Sequence, residues 1–226
     1  MFRAFSISLP IALAIAASPG PILALMILLM MPKAIPNSYS FLLGWFIGLM
    51  LVGTLVLYSP VLNEFTGGPT LVSAWIRISL GASFLLYAVF IVKNIPKKGK
   101  AVAPPKWLEK VDSFGFFQAL IAGFIFSGPN IKNAAMVATG SVNIRGAGLS
   151  FHQELIVLIL FCVFSSLGVL IPHTVFMLFR NTAESVFGNM KVWLLRNRVL
   201  ILMIVLVVFG GISLYRGIIF LELLAE

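Results

Sequence analysis

The sequence predicts an all-α polytopic membrane protein, with six transmembrane helices arranged as two inverted three-helix repeats and with helices one and four broken. Three observations predict it. Of 226 residues, 60% are hydrophobic and only 10% are charged, and mean hydropathy is +1.07; a soluble domain carries about 25% charged residues. Too few polar groups remain to cover a water-facing surface. Six apolar runs follow one another, each near the ~20 residues that a helix needs to cross a bilayer. Two of those runs are interrupted in their middles by proline and glycine.

The crossings are expected at 5–31, 39–58, 71–92, 114–139, 155–178 and 199–220. The opening stretch resembles a signal sequence only at first sight, because its apolar run continues past Ser18-Pro19-Gly20-Pro21 to Met31 and fits a first crossing better. Pro32, Lys33 and Pro36 mark the first turn, and the stretch from Ser59-Pro60 to Pro69 marks the second. The third connection is the longest and holds Lys93, Lys97, Lys98, Lys100, Lys106 and Lys110, with Trp107 and Leu108 suiting a segment that lies on the membrane surface. The chain therefore divides into a first repeat, 1–92, a basic cytoplasmic connection, 93–113, and a second repeat, 114–226.

The net charge of +9 reads as topology. Placing the first, third and fifth connections inside puts eleven basic residues in the cytoplasm and leaves Arg3, Arg145 and Arg216 outside. Both termini are then extracytoplasmic in a bacterial inner (plasma) membrane. A nucleic-acid surface is not expected, since the basic residues sit in short connections between apolar runs. Cys162, the single cysteine, excludes an internal disulfide and the cysteine-rich zinc patterns. No metal, cofactor or catalytic group is expected, because no nucleophile, base and orienting group stand together.

Ser18-Pro19-Gly20-Pro21 in helix one corresponds to Ser127-Gly128-Pro129-Asn130 in helix four. Gly81 then Tyr87 in helix three corresponds to Gly210-Gly211 then Tyr215 in helix six. With three helices per half, the halves face opposite ways, as in many transporters. A proline removes a backbone donor and clashes with the preceding turn, and the groups so freed must face protein or a polar cavity rather than lipid. Each break lies roughly 20 Å along its helix, just past the midplane. The alternative is a pair of harmless kinks.

Helix four also carries Asn130, Lys132 and Asn133. A lysine at this depth costs several kcal/mol unless it finds a partner, so the trio is either a binding site or a polar knot between helices. Arg77 lies about six residues into helix three, either snorkelling outward or contacting an anionic headgroup. His173 is a candidate proton handler, with a hydrogen bond to a neighbouring helix as its plainer role. No Asp or Glu falls in mid-crossing, which disfavours proton antiport through a buried carboxylate. The deep charges are cationic and favour an anionic substrate. Gly44 and Gly48 form a small-residue motif suited to internal packing or to a homodimer.

On these residues the chain resembles the GAP family, the peptidoglycolipid- and sulfolipid-addressing proteins. The likeness rests on ALAIAASPGPILALMILLM with FLLGWFIGL, on PPKWLEKVDSFGFFQALIAGFIFSGPNIKNAAMVATG, and on WLLRNRVLILMIVLVVFGGISLYRGI, and runs from about Ile11 to Ile218. The family's helix-four motif is close to NPKN; here Asn130, Ile131, Lys132 and Asn133 occupy it, with isoleucine where proline is usual. The family in turn resembles the LysE translocator superfamily of six-helix exporters. The resemblance implies a role in moving or addressing envelope glycolipids.

The expected function is thus export or flipping of an anionic lipid, glycolipid or amphiphile. The expected binding residues are Ser18, Pro19, Gly20, Pro21, Asn130, Lys132, Asn133 and Arg77, lining a wet, positively polarised pocket between the breaks. The rivals are an exporter of a small amino-acid-like solute and an accessory subunit docked on a larger lipid-export machine.

Overall fold

The computed structural model describes residues 1–31, 33–59, 70–94 and 114–225. Pro32, the second turn from Pro60 to Pro69 and nearly all of the basic third connection lie outside the described residues. Among those described there are nine α-helices and no strand. They are α1 (Phe2–Ala16), α2 (Pro19–Leu29), α3 (Ala34–Leu57), α4 (Leu71–Ile91), α5 (Phe116–Ser127), α6 (Ile131–Arg145), α7 (Phe151–Ser165), α8 (Leu167–Leu178) and α9 (Arg180–Ala225). A 3-10 turn, Val92–Asn94, extends α4.

Length and apolarity qualify α3, α4 and the Phe187–Leu224 part of α9 as single spans. Two bent pairs qualify if each pair is one span: α1 with α2 at 54°, and α7 with α8 at 61°. The expected fourth crossing is realised as α5 and α6. Here α5 is apolar but has 12 residues, about 18 Å of helix against ~30 Å of hydrocarbon. α6 carries Lys132, Asn133, Asn143 and Arg145. The molecule is therefore an all-helical membrane protein with three to five spans by these measures. Its outer surface agrees: Leu86, Val89, Phe117 and Leu178 are each at least 70% exposed, and water would not favour that much open apolar area.

The core explains why these helices pack as they do. In α2 every residue from Leu23 to Leu29 is buried, so this short helix is the central post, apolar on all sides. Glycines set the closest approaches. A Cβ on Gly44 would come within 2.0 Å of the Leu120 carbonyl oxygen, and one on Gly123 within 2.0 Å of the Phe41 carbonyl oxygen. The small-residue motif of α3 is thus spent inside the protein, against α5. These two helices run parallel: Asn37 donates to the Phe114 carbonyl at one end, while Gly48 meets Ser127 at the other. α4 and α9 run antiparallel, with Gly81 against Gly210 and Phe84 edge-on to Phe209 at 5.3 Å.

Two expectations change. The fifth connection, expected as a loop over 180–198, is helix and continuous with the last span. Met, Lys, Leu and Arg are good helix formers, and Phe187 and Leu194 are buried, with Phe187 stacked on Phe176 of α8 at 6.1 Å. The fifth crossing, expected to be straight, is broken between Ser165 and Leu167. The halves differ here, since α3, its counterpart in an inverted repeat, is continuous.

Candidate functional site

Three chain breaks converge at the centre of the bundle. The first is Ala17-Ser18, between α1 and α2. Pro19 and Pro21 do not sit in the gap but open the new helix, because the first helical turn needs no N–H from its residues. The second break is Gly128-Pro129-Asn130, between α5 and α6. Asn130 is the cap of α6, its side chain accepting from the Asn133 amide at 3.2 Å. Ile131 is then the first residue of α6. A proline at this position would suit the same helix start, so the isoleucine leaves the break where it is.

The two breaks touch through side chains. The Ser18 hydroxyl donates to Asn133 Oδ1 at 3.3 Å and accepts from the Lys132 ammonium. Asn133 Nδ2 donates to the Phe126 carbonyl at 2.8 Å, satisfying one of the acceptors left open at the end of α5. Gly20 lies against the Phe126 ring, whose nearest carbon would be 3.3 Å from an added Cβ. Ser18 and Asn133 are 3% and 1% exposed, and Lys132 is half-buried. The polar groups thus meet in direct hydrogen-bonded contact rather than across a hollow.

The third break joins them. Gly168, at the start of α8, packs so closely on the end of α1 that a Cβ would lie 1.8 Å from the Ala16 carbonyl oxygen. Ser166, in the break itself, donates to the Cys162 carbonyl at 2.7 Å and accepts from Trp45 Nε1 at 3.1 Å. The signal for this break was Ser165-Ser166 followed by Gly168 and Pro172, since serine–glycine pairs are recurrent kink sites.

The electrostatics favour an anion. The N-termini of α2 and α6 both start here, and each carries roughly half a positive charge. Of the three protons on Lys132, one is given to Ser18. Among the described residues no carboxylate pairs with it, and the ion pair in view is Arg145 with Glu154 at 2.9 Å, elsewhere in the bundle. Glu154 stands at a helix end, in the first turn of α7, where it is 1% exposed and held by both Arg145 contacts.

Arg77 and His173 do not join this cluster. Arg77 neither snorkels nor reaches the surface: it is 8% exposed, donates to Asn143 Oδ1 at 3.3 Å and lies 5.0 Å from the centre of the Phe220 ring. The close approach of α4 and α9 at Gly81 and Gly210 covers it. His173 stands edge-on to Tyr39 at 4.7 Å, with Nδ1 buried and unpartnered. Its plainer role, a hydrogen bond to a neighbouring helix, is not seen among the described residues.

A family model described as Sap, sulfolipid-1-addressing protein, matches residues 9–219. No curated protein and no solved structure matches the chain. The match bears out the likeness to the peptidoglycolipid- and sulfolipid-addressing proteins drawn from the helix-one and helix-four motifs.

Proposed function

The chain belongs to the sulfolipid-1-addressing protein family, and from that premise we propose that it is a bacterial inner-membrane transporter that exports or flips an anionic lipid, glycolipid or amphiphile. One observation carries the reading: Lys132, with no described carboxylate partner, meets the starts of α2 and α6 at the junction of two broken helices. Such a junction recognises a sulfate, phosphate or carboxylate headgroup by backbone amides and one cation. The headgroup replaces Ser18 on Lys132 and opens the junction, and the two repeats then rock about it. In this reading α5 and α6 together make the fourth crossing, which brings the spans to six, and the basic connections face the cytoplasm. The LysE superfamily that the family resembles has six helices, and the six crossings here would form two inverted halves. The amino-acid-like substrate is less favoured, because the buried carboxylate Glu154 is already held by Arg145.

The test is transport of fluorescent sulfatide, with neutral galactosylceramide as control, in phosphatidylcholine proteoliposomes. Lys132→Gln is expected to lower the sulfatide rate about tenfold or more, matching the loss of one charge-assisted hydrogen bond. Lys132→Arg is expected to retain part of it. An unchanged rate in Lys132→Gln contradicts the reading. Absence of sulfatide movement by the wild-type protein alone favours the accessory-subunit reading.

A further inference from the structure

A second cationic site lies along α6, away from the junction of the breaks. A partly open cavity of about 80 Å³ lies between α1, α4, α6 and α9. Arg77 and Arg216 are the charged residues that line it, with Ile7, Ile11, Val208 and Ile212 among the apolar ones. Thr139 of α6 also borders it, seven residues beyond Lys132 and so about 10 Å further along the helix.

The chemistry of this cavity is one-sided. Arg77 is buried, and its described side-chain contacts are one amide oxygen, Asn143 Oδ1, and the Phe220 ring. A guanidinium carries five N–H donors, so most of its donors have no described partner. Arg216 is half-buried beside it, with no described hydrogen bond or ion pair. The two hydroxyls at the wall are already committed as donors, Ser213 to the Arg77 carbonyl at 3.0 Å and Thr139 to the Ala135 carbonyl at 2.9 Å. The amide nitrogen of Asn143, next to Arg77, is a buried donor without a partner. Among the described residues no carboxylate lines the space. Two like charges bordering one largely apolar cleft lack a counter-charge, and an isolated buried charge is costly.

We propose that Arg77 and Arg216 form a second anion site, taking a sulfate or phosphate monoester group whose alkyl chain runs along the aliphatic wall. The cavity suits a single tetrahedral oxyanion, and the planar guanidinium of Arg77 matches two of its oxygens at once. In the transport reading this site is a station between the central junction and the end of the bundle where α4 begins and α9 ends. Only that place in a route rests on the transport reading; anion binding at Arg77 and Arg216 stands apart from it.

The experiment is equilibrium binding of ³⁵S-labelled decyl sulfate to the full chain in phosphatidylcholine nanodiscs, with empty discs as background and ³⁵S-labelled inorganic sulfate in a parallel arm. The wild type is expected to show two saturable sites. Arg216→Gln, which breaks no described bond, is expected to weaken one of them about tenfold or more, while Lys132→Gln weakens the other. Arg77→Gln is expected to act as Arg216→Gln does, with partial rescue by Arg77→Lys. Tighter binding of decyl sulfate than of inorganic sulfate assigns the site to a lipid headgroup, and equal binding assigns it to a free anion. Two sites of unchanged affinity in Arg216→Gln overturn the proposal. Loss of a site in Arg216→Gln with no change in Lys132→Gln upholds it and contradicts the central site instead.

Discussion

Asn133 makes two side-chain hydrogen bonds: it accepts from Ser18 and donates to the Phe126 carbonyl. Asn133→Ala removes both hydrogen bonds in a buried place, so stability is expected to fall by about 1–3 kcal/mol, read as a lower Tm in detergent. Asn133→Asp keeps an acceptor for Ser18, loses the bond to Phe126 and adds a carboxylate beside Lys132; it is expected to weaken anion binding while costing less stability than alanine. Equal Tm for wild type and Asn133→Ala would contradict the role given to this side chain. At this scale the sequence was informative where the residue type itself implies chemistry: serine, lysine and asparagine beside proline breaks are unusual in lipid, and the structure brings Ser18, Lys132 and Asn133 together. Arg77 was not legible in the same way. Its distance from the helix end allowed snorkelling, and what buries it is the approach of α9, which depends on Gly81, Gly210 and Gly217 meeting their partners across 130 or so residues of chain.

Helices here are positioned by what they lack. Gly123 has a backbone oxygen where its Cβ would be, whereas Gly211 has nothing within 4 Å. Gly123→Ala is therefore expected to lower the Tm by separating α3 from α5. Gly211→Ala is expected to leave it unchanged or raise it, since alanine is favoured over glycine in a helix by about 0.5–1 kcal/mol. Equal effects of the two substitutions would contradict the packing. At the start of α4 the reciprocal Thr70–Ser73 hydrogen bonds, both 3.1 Å, cap the helix, and Thr70→Ala is expected to cost about 1 kcal/mol, again read by Tm. Long apolar runs such as α3 and α4 were readable from hydropathy because lipid contact imposes length. The break at Ser166 was missed because no proline stands in it; the bend follows from Trp45 and Ala16 packing on it. The helical start of α9 was missed because charge was read as loop, although Phe187 and Leu194 secure it against the bundle.

The whole molecule groups its basic ends together. Lys33 begins α3 and Lys93 follows α4, and the contact of Tyr39 with His173 and of Phe176 with Phe187 puts the starts of α3 and α9 at the same end. This is the grouping from which charge predicts that both termini face outward. In a Cys162→Ser background, cysteines at Lys33 and Lys93 are expected to react with a membrane-impermeant maleimide only after lysis, and cysteines at Arg3 and Glu222 without it; the reverse pattern would invert the topology. The pairing of broken helices was legible because proline and glycine mark it locally, while the bend between α7 and α8 was not, and α3, its counterpart in the expected repeat, is continuous. The account depends on the first and second breaks meeting and then parting as a headgroup enters. The direct measurement is sulfatide transport by Ser18→Cys/Asn133→Cys/Cys162→Ser before and after reduction. A disulfide that forms, stops transport and releases it on reduction is the predicted result. A disulfide that forms while transport continues at the reduced rate would contradict it.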